Sequence, residues 1–235
     1  MPFILGNVVP WGRSFDEYVR MFSLTENELA SRILGCADGP ASFNSEMYRR
    51  GVRVVSVDPL YQYSSDEIRD RIEATFSQVI EQTKANKNNY KWETIPSVEA
   101  LGEIRMTAMK DFLADFPTGK EEGRYLAHSI PSLPFQNCQF DIALCSHFLF
   151  LYSEHLSLSF HCEAIREMCR VAQEVRVFPL LTLDGVQSSR VEGVCKFLTD
   201  SKYAFSIQAV NYEFQRGGNK MLSVTPTTLG PKLFR

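Results

Sequence analysis

The stretch RILGCADGPASFNSEMYRRGVRVVSVDPLY, Arg32 to Tyr61, decides how the chain folds. A short apolar run gives way to small residues at alternate positions, Gly35, Ala37, Gly39 and Ala41. A helical pattern then runs from Ser42 to Arg50 and closes at Gly51. The β-branched run VRVVSV (52–57) follows and ends at Asp58. Strand, tight bend, helix and strand in this order give two parallel strands whose carboxyl ends form a ligand-binding edge. The small residues let the backbone turn sharply and come within hydrogen-bond range of a ligand. The helix aims free amides at any anionic group lying there. Asp58 follows Gly39 by 19 positions. A carboxylate there can accept two hydrogen bonds from a ribose diol, each contributing about 1.5–3 kcal/mol. The pattern therefore calls for a cofactor that contains a nucleoside.

The same alternation continues downstream. Apolar runs at 124–130 (RYLAHSI), 140–146 (FDIALCS) and 174–181 (EVRVFPLL) are separated by helical patterns, two of them at about Phe160–Ala172 and Ser189–Asp200. Continuous apolar strands between helices imply a parallel sheet covered on both faces. The chain then changes character, because YAFSIQAVNYEFQ and KMLSVTPTT are two extended runs joined across RGGN, a hairpin signal. The expected fold is α/β: a doubly wound, mostly parallel seven-stranded sheet with an antiparallel C-terminal hairpin strand.

Two additions decorate this sheet within a single domain spanning 1–235. Residues 1–30 form an N-terminal helical cap, in which Ser14 with Glu17 and Thr25 with Glu28 each spell a capping box. Phe15, Tyr18, Val19 and Phe22 give the first helix an apolar side. Residues 62–123 form a helical insertion after the second strand, with helices at Ser65 to about Lys84 and Ser97 to about Phe116. Beside the ligand edge it reads either as decoration or as a lid or homodimer surface.

The 235 residues carry a net charge of -3, with 44% apolar and 23% charged side chains, which suits one globular domain. That balance gives no general attraction to phosphate backbones, and KANKNNYK (84–91) reads as a solvated helix end, so no nucleic-acid partner is expected. The six cysteines include no C-x-x-C pair and several lie in apolar patterns, so neither zinc site nor disulfide framework is indicated and a cytoplasmic setting is expected. No run is long enough for a membrane span, and MPFILGNVVPWGR lacks the basic start of a signal peptide.

ILGCADGPASF resembles the first motif of the class I S-adenosylmethionine (SAM)-dependent methyltransferases, usually written V-L-D-x-G-C-G-P-G. Aligned on Gly39 and Pro40, Ala37 and Ala41 replace the first and third glycines. Gly35 stands where the family has an acid that helps hold the methionine amino group, and Asp38 is the candidate substitute. The resemblance thus assigns Gly35, Cys36, Ala37, Asp38 and Gly39 to the cofactor. VVSVDPLY resembles the second motif, giving Asp58 the ribose role and setting Pro59 and Leu60 against the adenine. YLAHSIPSLPFQNCQFDIALCSHF looks like the family's later motifs, placing Ser129 at an acidic position near the adenine amino group and Ile130 on the base. Cys145, Ser146 and His147 then end the fourth strand, where the family shapes its methyl-transfer pocket. The resemblance covers about Glu26 to Arg235.

Methyl transfer from a sulfonium is an in-line displacement in which alignment and desolvation supply on the order of 7–11 kcal/mol, so an obligatory base is not required. Where the acceptor is a hydroxyl, an imidazole can take its proton, and His147 is the candidate, beside the reading of it as a structural histidine. His128 flanks the adenine region, while His155 and His161 read as surface or packing residues. Asp66, Glu67 and Asp70 suit a helix start. Trp11, Phe15, Tyr18 and Phe22 read as packing on the sheet, with closure over the cofactor as the second reading. No N/D-P-P-F/Y tetrapeptide ends the fourth strand, which argues against amide or exocyclic amino nitrogens as acceptors. The expected function is methylation of a small molecule without a nucleic-acid or membrane partner, and with the insertion as a possible homodimer surface. Two other readings stay open. One is a catalytically silent relative that binds a nucleoside or a partner protein. The other is an NAD(P)-dependent oxidoreductase, set back by the absent G-x-G-x-x-G and by the hairpin.

Overall fold

A computed structural model describes residues 9–227. The first eight residues of the cap and Thr228, the last residue of the final extended run, lie outside the described residues. Seven strands form one sheet in the order β3-β2-β1-β4-β5-β7-β6. They are β1 (Ile33–Cys36), β2 (Val55–Val57), β3 (Tyr125–Leu126), β4 (Phe140–Ser146), β5 (Ala172–Phe178), β6 (Ala204–Ala209) and β7 (Lys220–Thr225). β1 to β5 pair in parallel, and β7 runs antiparallel to both β5 and β6. The expected doubly wound sheet with its C-terminal antiparallel strand is thus present. The order reverses between β1 and β4, which opens the edge for a ligand.

Helices cover both faces. α6 (Leu158–Val171) and α7 (Arg190–Asp200) close one face over Leu34, Cys36, Ala143 and Cys145. α1 (Phe15–Met21), α2 (Glu26–Leu29) and α3 (Phe43–Arg49) cover the other, where Tyr18, Met21, Phe22 and Phe43 pack against Ile33, Leu144 and Phe178. Both capping boxes form, each hydroxyl accepting from the third helical amide while the glutamate accepts from the cap residue. The insertion folds as α4 (Ser65–Ala85) and α5 (Val98–Glu121), whose apolar sides meet Tyr61 and Tyr125 through Ile68, Ile72, Phe112 and Phe116. Among the described residues no helix is long and apolar enough to cross a membrane.

Several element ends differ from expectation for physical reasons. β2 begins at Val55 because its register, Leu34 opposite Val55, leaves Val52 and Arg53 beyond the start of β1. β3 stops at Leu126 because the chain folds back at once, the His128 amide donating to the Leu126 carbonyl. β5 starts at Ala172, directly after α6, and stops before Pro179, which has no amide to extend the ladder. α5 runs through Pro117 to Glu121, held by the ring cluster of Phe112, Phe116, Tyr61 and Tyr125. β6 ends at Ala209, so residues 210–219 form a long connection rather than a tight turn at RGGN.

Candidate functional site

The bend after β1 is fastened to the end of β2. The Ala37 amide donates to the Val57 carbonyl at 2.9 Å, and the Gly39 amide donates to Asp58 Oδ2 at 2.9 Å. Asp58 Oδ1 accepts from the Leu60 amide at 2.8 Å, and Tyr61 Oη donates to the Gly39 carbonyl at 2.8 Å. Asp58 therefore holds the loop, and each of its oxygens keeps a further lone pair for a ligand. Burial lifts its pKa, against the pull of the two amides. Ala37 sits at φ +56°, the left-handed region, which costs a side-chain-bearing residue about 1–2 kcal/mol. Ala37→Gly is expected to raise stability by about 0.5–1 kcal/mol, and an unchanged or lower denaturation midpoint would contradict that strain.

Gly35 explains where the displaced acid has gone. A Cβ on Gly35 would stand 1.7 Å from Asp38 Oδ2, so the Asp38 carboxylate fills the space that a side chain at position 35 would claim. Asp38 is 8% exposed and accepts from Tyr18 Oη at 2.8 Å and Ser56 Oγ at 2.7 Å. Burial raises its pKa to about 6, with the Asp58 charge adding to the rise and the two hydroxyls opposing it. At neutral pH Asp38 is a buried carboxylate with hydroxyl partners and no cation beside it, a setting that favours an incoming ammonium group.

Near Asp38, the end of β4 contributes a second polar pair. Tyr18 gives its single proton to Asp38. Ser146 Oγ and His147 Nδ1 share a hydrogen bond of 2.9 Å. His147 stands at φ +50° directly after β4, its amide held by the Phe178 carbonyl at 2.7 Å. Burial, aided by the charges of Arg13 and Arg105, drives its pKa well below the usual histidine value, so the ring is neutral at pH 7.

These residues line a cavity of about 380 Å³. Of the residues expected at the site, Ala37, Asp38, Gly39, Asp58, Pro59, Leu60, Ser129, Ile130, Ser146 and His147 face it. Three do not reach it. Cys36 and Cys145 sit opposite each other in the β1–β4 register, and strand alternation turns both thiols into the core under α6. Gly35 is covered by Asp38. His128 also lines the cavity; His161 is buried, its ring nitrogens bonded to the Ser157 and Leu149 carbonyls, and His155 is exposed. Among the described residues no group of three His, Cys, Asp or Glu side chains is placed to hold a metal ion.

The far wall was legible only in part. Trp11 and Tyr18 of the cap line it, in keeping with their second reading, whereas Tyr90 from the insertion, Tyr212 and Phe214 from the 210–219 connection, and Arg13 join them without a signal of their own in the motifs. The strand-like alternation Val210, Tyr212, Phe214 was the signal available, since all three turn inward and are buried. Arg105 of α5 joins these pieces. It is fully buried and grips Glu17 through both terminal nitrogens, Nη2 to Oε1 at 2.7 Å, while Tyr212 Oη donates to the same oxygen at 2.7 Å. Burial would raise the Glu17 pKa, but the Arg105 charge and hydrogen bonds dominate and hold it at about 2.

The strand order 3-2-1-4-5-7-6 with an antiparallel seventh strand is the fold of the class I SAM-dependent methyltransferases. The chain belongs to the same family as the uncharacterized protein MJ0045 of Methanocaldococcus jannaschii, with 34% identity over 221 residues, 94% of this chain and 97% of that protein. No protein-family model matches the chain. Among solved structures, the magnesium protoporphyrin IX methyltransferase of Synechocystis PCC 6803 with bound SAM aligns at a TM-score of 0.47 and 11% identity, covering 91% of this chain and 78% of that one. A SAM-dependent methyltransferase from Aquifex aeolicus aligns at 0.41 and 12%, covering 89% and 92%.

Proposed function

We propose that the protein is a SAM-dependent methyltransferase acting on a small molecule. The observation that carries this reading is the Asp38 carboxylate lying over Gly35, where the first motif of the family would otherwise place its acid. The altered motif thus keeps a carboxylate at the same place on the sheet edge, supplied from three residues downstream. When bound, SAM supplies an electrophilic methyl group on a positively charged sulfur.

The chain's own residues would do the rest. Asp38 pairs with the methionine ammonium, and Asp58 accepts from the ribose hydroxyls with its remaining lone pairs. Pro59, Leu60 and Ile130 offer apolar surface to the adenine. His147, neutral at pH 7 and lining the cavity, can take the proton of an acceptor hydroxyl through a ring nitrogen. Trp11 and Tyr18 cover the edge and exclude water. The aromatic far wall supports a small, flat acceptor in preference to a polymer.

Calorimetric titration with SAM, followed by mass analysis of acceptors incubated with the protein, tests this reading. Asp58→Ala, in a variant that still melts cooperatively, is expected to weaken SAM binding at least ~10-fold through loss of the ribose contact. Unchanged affinity would contradict the assignment of Asp58. Cofactor binding without any methylated product would instead favour a silent binding protein.

A further inference from the structure

We infer that Arg13 binds the α-carboxylate of the cofactor's amino acid end, so that the site selects the intact zwitterion over its decarboxylated form; this rests on the cofactor reading above and deepens it. Residues 11–13 lie directly on the bend after β1. The Arg13 carbonyl accepts from the Ser42 amide at 3.0 Å, and a Cβ on Gly12 would stand 2.1 Å from the Pro40 carbonyl oxygen. The bend they rest on is the one that carries Asp38, and Arg13 and Asp38 line the same cavity. Backbone contact therefore fixes the start of the Arg13 side chain at the bend where the amino acid end would lie.

The charges support the same placement. Asp38 has hydroxyl partners and no cation beside it, and the charge that bears on it is that of Asp58. Arg13 is half-buried; its Nη1 donates to the Trp11 carbonyl at 2.8 Å, and its Nε is buried with no partner. Glu17, an acid whose charge reaches Arg13, is already gripped by Arg105 and Tyr212. Tyr18, which donates to Asp38, feels the Arg13 charge, so the anion and the cation both act on one residue without pairing with each other. An ion partly withdrawn from water is costly until a counter-charge joins it, and a ligand bearing an ammonium beside a carboxylate relieves both. The guanidinium suits the carboxylate because its parallel N–H donors match the two oxygens. Arg71 also lines the cavity, but it stands on the exposed side of α4, where water already solvates it.

The test is calorimetric titration with S-adenosylhomocysteine and with its decarboxylated analogue, S-adenosyl-3-thiopropylamine, which lacks only the carboxylate. The unaltered protein is expected to bind S-adenosylhomocysteine at least ~10-fold tighter than the analogue. Arg13→Gln should abolish that preference by weakening S-adenosylhomocysteine alone, Arg13→Lys should keep part of it, and Arg71→Gln should leave it whole. Equal affinity for the two ligands in the unaltered protein, a preference retained in Arg13→Gln, or its loss in Arg71→Gln would overturn the inference. So would an equal weakening of both ligands in Arg13→Gln, the mark of a purely structural role. Where Arg13→Gln fails to fold, Arg13→Lys decides, since an undiminished preference there would overturn the inference as well. An unaltered protein that binds neither ligand would refute the cofactor reading itself, whereas one that binds both alike would refute this inference alone.

Discussion

Arg105→Met is expected to lower the stability of the protein by about 3–5 kcal/mol, the usual effect of removing one partner of a buried ion pair. The size follows from what is left behind. Glu17 is 2% exposed, and without Arg105 its carboxylate would keep only Tyr212 and the Ser14 cap as partners. The pair also joins α1, α5 and the 210–219 connection, three segments far apart in the chain that together close the far wall of the cavity. Replacing both partners, Glu17→Gln with Arg105→Met, should cost less than the arginine change alone, because no charge is then stranded. The same pair sets a pH dependence. Because the folded protein holds Glu17 at about 2, below its usual 4.5, its stabilising effect is complete above about pH 4.5 and is lost as the pH falls toward 2. Denaturant titrations of the variants at pH 7, and of the unaltered protein from pH 7 to 2, measure both effects. A loss below 1 kcal/mol for Arg105→Met would show that the pair is not holding the segments together.

Asp38→Ala is expected to weaken S-adenosylhomocysteine binding by about 10- to 150-fold, the range given by one charge-assisted hydrogen bond of about 1.5–3 kcal/mol. The unaltered protein should show the same weakening as the pH falls through about 6, where Asp38 becomes protonated and can no longer pair with the ligand's ammonium. The geometry permits a sharper experiment. Gly35→Asp alone should be destabilising, since its Cβ would stand 1.7 Å from Asp38 Oδ2 and two carboxylates would compete for one space. Combined with Asp38→Ala, the same Gly35→Asp change should recover binding, because the carboxylate returns to the position that the family's first motif gives it. Recovery in the double variant, without recovery for Asp38→Ala with Gly35→Asn, would establish that the charge at this place is what the ligand needs.

Much of the fold was readable because it rests on local chemistry. The capping boxes at Ser14 and Thr25, the apolar runs of β1 and β4, and the change to extended pattern after Asp200 each act within a few residues. Ends that depend on a neighbour were not readable. β2 is cut short by its register with β1, and α5 passes Pro117 because rings from Tyr61 and Tyr125 hold it there. Part of the cavity lining was legible, since Asp38, Asp58 and His147 follow strand ends in motifs. Cys36 and Cys145 were misplaced because a motif names a position along the strand, whereas the pleat decides which face a side chain takes. The rest of the cavity wall was hidden for a different reason. Arg13, Tyr90 and Tyr212 are brought together from three distant segments, and nothing within any one of them marks the meeting.

The central claim is that the Asp38 and Asp58 carboxylates at the β1–β2 edge together hold an adenosyl amino acid. Isothermal titration of the purified protein with S-adenosylhomocysteine at pH 7.5 tests it most directly. The account predicts saturable binding at one site per chain, weakened by Asp38→Ala and by Asp58→Ala; no heat at millimolar ligand, or equal affinity in both variants, would contradict it.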